Sequence, residues 1–174
     1  AMVYIPETAE YVMIGAESAK FKDPKFSVDM VVNLIKAIRK MPQFSGSNIV
    51  LIPESNYGNE STWIKRDIDN YQLKNVFCMV EDGERPGVRT NEKFKDEIAT
   101  VMKEKIRDGK FKVASNFVVT GNGNKDLTPQ TLLKDIYNQI LNYSVNTVPN
   151  KDPHKPPKVF YGGKNGYGSD DHAL

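Results

Sequence analysis

The sequence predicts an α/β fold in which a sheet is covered by helices, and three observations carry that reading. Short apolar runs of strand length alternate with longer stretches whose apolar residues recur at helical spacing. Glycine, proline and capping residues fall at the boundaries that these two periodicities imply. The length, 174 residues, is that of one domain able to bury most of its apolar surface.

Taken in order, residues 2–5 and 11–14 are apolar runs separated by Pro6, Glu7, Thr8, Ala9 and Glu10, the pattern of a hairpin. Val28, Val31, Val32, Ile35 and Ile38 then recur at helical spacing, with Ser27 placed to cap the start and Pro42 to mark the stop. Residues 49–52 read as a buried strand, residues 61–68 as a helix and residues 76–80 as a second short buried strand. Phe94, Ile98, Val101, Met102 and Ile106 form another helical stripe, ended by Gly109. Two short strands are expected at 111–114 and 117–120, followed by the turn-forming Gly-Asn-Gly-Asn-Lys-Asp loop at 121–126. Thr128 caps the last long helix with Pro129 at its first position, and its stripe is Leu132, Leu133, Ile136, Tyr137, Ile140 and Leu141. Residues 148–157 hold four prolines, with Lys151, Lys155 and the following Lys158, and read as an exposed, extended connection.

Composition removes several function classes. With 39% hydrophobic and 26% charged residues the chain has ordinary globular make-up, and no apolar run approaches the roughly 18 residues a membrane span needs. A single cysteine, Cys78, excludes an internal disulfide and cysteine-pair zinc sites, and favours a reducing, intracellular setting. Cys78 sits inside an apolar run and is expected in the core. His154 and His172 have no ligand at zinc spacing. The glycine-rich loop at 121–126 lacks the Gly-Lys-Ser/Thr of a phosphate loop. A net charge of +2 neither demands nor forbids a polyanionic partner. Trp63 and Tyr57 are expected to pack rather than to stack on bases.

Glu54 is the residue that points to chemistry. It stands just past a strand, after Pro53, and Asn56 and Gly58 allow a sharp turn behind it. A second acidic pair, Asp170 and Asp171, follows another glycine-rich turn that contains Lys164. A lone glutamate at a strand end commonly does no more than face solvent. Two acidic sites, each at a strand-to-helix junction, are what a divalent-metal centre requires, because hard cations such as Mg²⁺ take carboxylate oxygens.

Three segments, Val-Leu-Ile-Pro-Glu-Ser-Asn-Tyr-Gly at 50–58, Gly-Val-Arg-Thr-Asn-Glu-Lys-Phe-Lys-Asp-Glu-Ile at 87–98 and Val-Phe-Tyr-Gly-Gly-Lys-Asn-Gly-Tyr-Gly-Ser-Asp-Asp-His-Ala-Leu at 159–174, occur in an order and spacing that resembles a known family. This is the C-terminal nuclease domain of the large terminase subunit, the DNA-packaging motor of herpesviruses and tailed bacteriophages, and the last segment is most similar to the herpesvirus type. The resemblance spans essentially the whole chain.

The resemblance implies a ribonuclease H-like fold, a central mixed sheet flanked by helices with an acidic cluster at one sheet edge. It implies a metal-dependent endonuclease that cuts concatemeric double-stranded viral DNA during packaging, using two divalent cations, Mg²⁺ or Mn²⁺. Glu54 matches the family's second acidic position, and either Asp170 or Asp171 matches the third. Arg89, Lys93 and Lys164 fall where phosphate contacts are expected. Implied partners are double-stranded DNA, other terminase subunits and the capsid portal. Herpesvirus-like packaging would place the protein in the host nucleus.

One position departs from the family. Its first acidic residue lies on an opening strand, typically as Asp-Pro-Ala, and no such motif occurs here; Glu7, Glu10 and Glu17 stand in a different context. The expectation is therefore a fragment, residues 1–174 of a nuclease domain, lacking the first strand and continuing at both ends, with an ATPase domain upstream. Such a fragment is expected to bind metal weakly and cleave poorly, since its remaining carboxylates would repel one another. Two other readings stay open: a resolvase- or transposase-type nuclease of the same fold, and a non-catalytic DNA-binding or assembly module.

Overall fold

The computed structural model describes residues 1–18, 24–55, 60–81, 85–121 and 126–162. Strands β1 (Met2–Ile5) and β2 (Glu10–Gly15) form the expected antiparallel hairpin, with Met2 opposite Met13 and Ile5 opposite Glu10. Tyr4 and Tyr11 face each other across it, ring centroids 4.9 Å apart. On its other side β2 pairs in parallel with β7 (Phe111–Val118), giving a three-stranded mixed sheet in the order β1-β2-β7.

The two short strands expected at 111–114 and 117–120 are one. Ser115 and Asn116 interrupt the apolar pattern, but both lie exposed on an edge strand, where polar side chains face water without breaking the ladder. The interruption marks an irregularity instead: the pairing steps from Met13 opposite Val113 to Gly15 opposite Val118.

Helix α1 (Pro24–Arg39) begins three residues before the expected Ser27 cap, with Pro24 at its first position, where a missing N–H leaves no hydrogen bond unmade. It ends ahead of Pro42, which opens a short 3₁₀ turn, Pro42–Phe44. Val28 and Val32 of α1 meet Ile68 of α2 (Glu60–Asn70), and this buried cluster is joined by Leu51 of β3 (Ile49–Leu51) and Val76 of β4 (Val76–Cys78). β3 and β4 pair in parallel as a separate two-stranded sheet. At the other side of α1, Leu34 lies against Gly15, where an added Cβ would come within 3.3 Å of Leu34 and 2.9 Å of the Val118 carbonyl oxygen.

β3 and β4 are not the fully buried strands expected from their apolar runs. Val50 and Ile52 are 59% and 62% exposed, Phe77 and Met79 54% and 43%, while Ile49, Leu51, Val76 and Cys78 are half-buried. The pleat places alternate side chains on opposite faces, and among the described residues it is the face toward α1 and α2 that is packed. Cys78 thus borders the core rather than filling it, and its burial pushes the thiol pKa up. Trp63, on α2, is 45% exposed and is not the packing residue expected.

A second core lies between the mixed sheet and α4 (Pro129–Asn142), where Met13 and Phe117 meet Leu132 and Ile136. Thr128 caps α4 as expected, in a reciprocal box with Thr131. The outer half of the expected stripe is uncovered, with Tyr137 and Leu141 60% and 62% exposed. Helix α3 (Glu92–Arg107) runs over Tyr11 and Phe111 across an apolar groove of about 390 Å³. A small hairpin, β5 (Val80–Glu81) with β6 (Arg85–Pro86), precedes α3. The proline-rich connection proves to be the tip of a hairpin, with β8 (Ser144–Val148) antiparallel to β9 (Lys158–Gly162), two strands that the residue pattern does not signal.

Candidate active site around Glu54

The main chain does not turn away from the sheet after β3. Glu54 forms an isolated parallel bridge with Val88, which carries the line of β3 three residues further along a new neighbour. The Val88 N–H donates to the Pro53 carbonyl (2.8 Å) and the Ser55 N–H to the Val88 carbonyl (2.9 Å). Two of the three segments that carry the family resemblance, 50–58 and 87–98, are therefore joined by backbone hydrogen bonds.

Gly87 makes that approach possible. Its φ is +94°, a region L side chains rarely adopt, and a Cβ there would stand 2.1 Å from the Pro53 oxygen. The Gly87 N–H also donates to the Met79 carbonyl (2.7 Å), and the Met79 N–H to the Leu51 carbonyl (2.8 Å), so the segment is tied to the residues that follow both strands of the small sheet. Further on, Asn91 caps α3 by accepting from the Phe94 N–H at 2.9 Å. The stretch 87–91 is thus fixed at both ends.

Glu54 itself is exposed, as are Val50 and Ile52 four and two positions before it, so the carboxylate tops the uncovered face of β3. The Thr90 hydroxyl donates a hydrogen bond to Glu54 Oε1. Nothing in the residue pattern singles out Thr90; the one usable signal is Gly87, whose conformational freedom permits a close crossing of two chains.

Arg89 is exposed beside Thr90. Lys93, in the first turn of α3, projects into solvent with its side chain 88% exposed and lies 3.8 Å from Glu97. Asp170, Asp171, Lys164 and His172, with Asn56, Tyr57 and Gly58, lie outside the described residues. His154 sits at the β8–β9 tip, where its backbone N–H donates to Asp152. Glu10 and Glu17 are engaged elsewhere: Glu10 with Lys112 at 2.6 Å, and Glu17 with the backbone N–H groups of Thr120 and Gly121.

In donor type the described part of the site supplies one group suited to a hard divalent cation, the Glu54 carboxylate, with the Thr90 hydroxyl donating to one of its oxygens. Among the described residues, no group of three or more histidine, cysteine, aspartate or glutamate side chains is gathered where it could hold an ion.

Comparison with family models gives no match, and none is found among curated proteins. Among solved structures the chain is similar to the human cytomegalovirus terminase nuclease domain, Mn-soaked and inhibitor-bound, with a TM-score of 0.55 at 16% identity. The match covers 74% of this chain and 63% of that one, less than two thirds of its length. The class this defines is structural: a mixed α/β chain with the ribonuclease H-like fold. More particularly, the fold is related to that of a terminase nuclease domain.

Proposed function

We propose that the chain is the nuclease domain of a terminase large subunit of the herpesvirus-like type, a metal-dependent endonuclease that cuts concatemeric double-stranded DNA during genome packaging. The observation that carries this reading is the position of Glu54. In a fold related to a terminase nuclease domain, it stands exposed at the end of β3, tied to Val88 and Thr90 of the other resembling segment.

Glu54, with Asp170 or Asp171, would hold two divalent cations, Mg²⁺ or Mn²⁺. When bound, such ions supply an activated water and charge stabilisation at the displaced oxygen. The chain's own contribution is to present carboxylate oxygens on a fixed sheet end and to grip DNA by its phosphates. Arg89, Lys93 and Lys164 are the proposed phosphate contacts, which set position without reading sequence. In the parent protein the partners would be other terminase subunits and the capsid portal, and the setting the host nucleus.

The test is nicking and linearisation of plasmid in Mn²⁺ by the full-length protein. Activity lost in Glu54→Ala, and again in Asp170→Asn with Asp171→Asn, supports the proposal. Activity that survives Glu54→Ala overturns the assignment of the site. A preference for branched over linear DNA would move the reading to a resolvase-type nuclease. The sequence holds no Asp-Pro-Ala motif, which supports a second reading, a non-catalytic DNA-binding or assembly module; DNA binding without cleavage in every divalent cation would select it.

A further inference from the structure

We infer that Thr90 is the positioning residue of the Glu54 carboxylate, setting the orientation in which that group receives a divalent cation. The inference rests on the proposed metal site and deepens it.

Glu54 stands exposed just past a strand end, and a glutamate has three rotatable side-chain bonds. A glutamate side chain on a surface samples many rotamers, and ordering it on ion binding costs side-chain entropy. The Thr90 hydroxyl removes part of that freedom by donating to Oε1. Ligating carboxylates are commonly held by such a second partner, and its loss weakens metal binding roughly 10- to 100-fold.

Thr90 is well placed for the task because its own position is fixed from both sides. Two residues before it, Val88 is hydrogen-bonded to Pro53 and Ser55, the neighbours of Glu54. One residue after it, Asn91 caps α3. Thr90 is half-buried between these anchors, so its hydroxyl is presented from a fixed backbone. A threonine also has a stiff χ1, its branched Cβ restricting the hydroxyl to few directions.

The experiment compares Thr90→Val, which keeps the shape and removes the donor, with Thr90→Ser, which keeps the donor, in the full-length protein. Mn²⁺ affinity is read directly by electron paramagnetic resonance of unbound Mn²⁺, with Glu54→Gln as the reference for loss of the site. The expected result is Mn²⁺ binding weakened about tenfold in Thr90→Val and within about twofold of wild type in Thr90→Ser, with melting temperatures unchanged. The nicking rate of Thr90→Val should recover at raised Mn²⁺, a response that a purely structural role would not give.

Wild-type affinity in Thr90→Val, or equal loss in both variants, overturns the inference while leaving the metal site standing. Should Thr90→Val lower the melting temperature, Thr90→Ala with Thr90→Ser decides on the same affinity criterion. Wild-type Mn²⁺ uptake that Glu54→Gln does not reduce overturns the metal reading, and this inference with it.

Discussion

Gly87 lies directly over the carbonyl of Pro53, so close that a methyl group in place of its hydrogen would stand 2.1 Å from the oxygen. This contact, between residues 34 positions apart, lets the 87–91 segment run beside Glu54. The partner is backbone, which cannot swing aside as a side chain can. Gly87→Ala must therefore part the two segments and also hold alanine at a φ of +94°. The expected loss is about 1 to 3 kcal/mol in urea unfolding; if the chain cleaves DNA as proposed, cleavage should fall further than stability alone explains. A fully active, fully stable Gly87→Ala protein would show that the crossing is not needed.

Much of this arrangement was legible in the residues, and the reasons for the remainder are physical. The β1–β2 hairpin and the Thr128–Pro129 start of α4 follow from turn and capping chemistry that acts over a few residues. The packing of β3 and β4 does not: an apolar run such as 49–52 gives strand and burial together, and which face is covered depends on α1 and α2. For the same reason α4 carries Tyr137 and Leu141 in the open, although their spacing is that of a buried stripe. Glu54 was visible as an oddity at a strand end. Thr90 was not, because a threonine before a helix cap is ordinary until its partner 36 positions away is known.

The two halves of the α4 stripe should behave oppositely. Leu132 is fully buried between the mixed sheet and α4, whereas Leu141 is 62% exposed. Leu132→Ala is expected to lower unfolding free energy by about 2 to 5 kcal/mol, through lost burial plus the cavity left behind. Leu141→Ala should fall within about 0.5 kcal/mol of wild type. Urea unfolding of both variants checks this, and a large loss at Leu141 would reveal that its face is covered in solution.

Acid should loosen the junction of β2 and β7. Lys112 on β7 donates to Glu10 on β2 at 2.6 Å, and that hydrogen bond is the main reason the Glu10 pKa lies below its ordinary 4.5. A carboxylate whose folded pKa is lowered stabilises the fold above the unfolded value, and that contribution disappears as pH falls through the folded one. Stability of the wild type should therefore drop more steeply below about pH 4.5 than that of Glu10→Gln. The effect should be small, since Lys112 is solvent-exposed, and should shrink in 1 M salt. Parallel pH profiles for the two proteins would show that the pair contributes nothing.

If the chain binds DNA as proposed, the β8–β9 tip is where its grip can be measured apart from cleavage. The tip is held in shape from within: Asn150 donates to the Pro156 carbonyl at 3.2 Å and accepts from the Asp152 N–H at 3.3 Å, while Asp152 accepts from the His154 N–H at 3.1 Å. On this frame Lys151 and Lys155 are exposed, with Lys155 only loosely opposed by Asp152 at 3.8 Å. Each lysine that meets a phosphate releases a counterion and adds about 0.9 to the slope of log affinity against log salt concentration. Replacing both by alanine should thus lower that slope by roughly 2 on linear duplex DNA, and weaken binding alike on unrelated sequences. Asp152→Asn should act in the opposite direction, because it deletes the local negative charge while its side-chain oxygen can still accept from His154. Unchanged slopes in the double variant, measured by fluorescence anisotropy in Ca²⁺ to suppress cutting, would mean that the tip faces away from DNA.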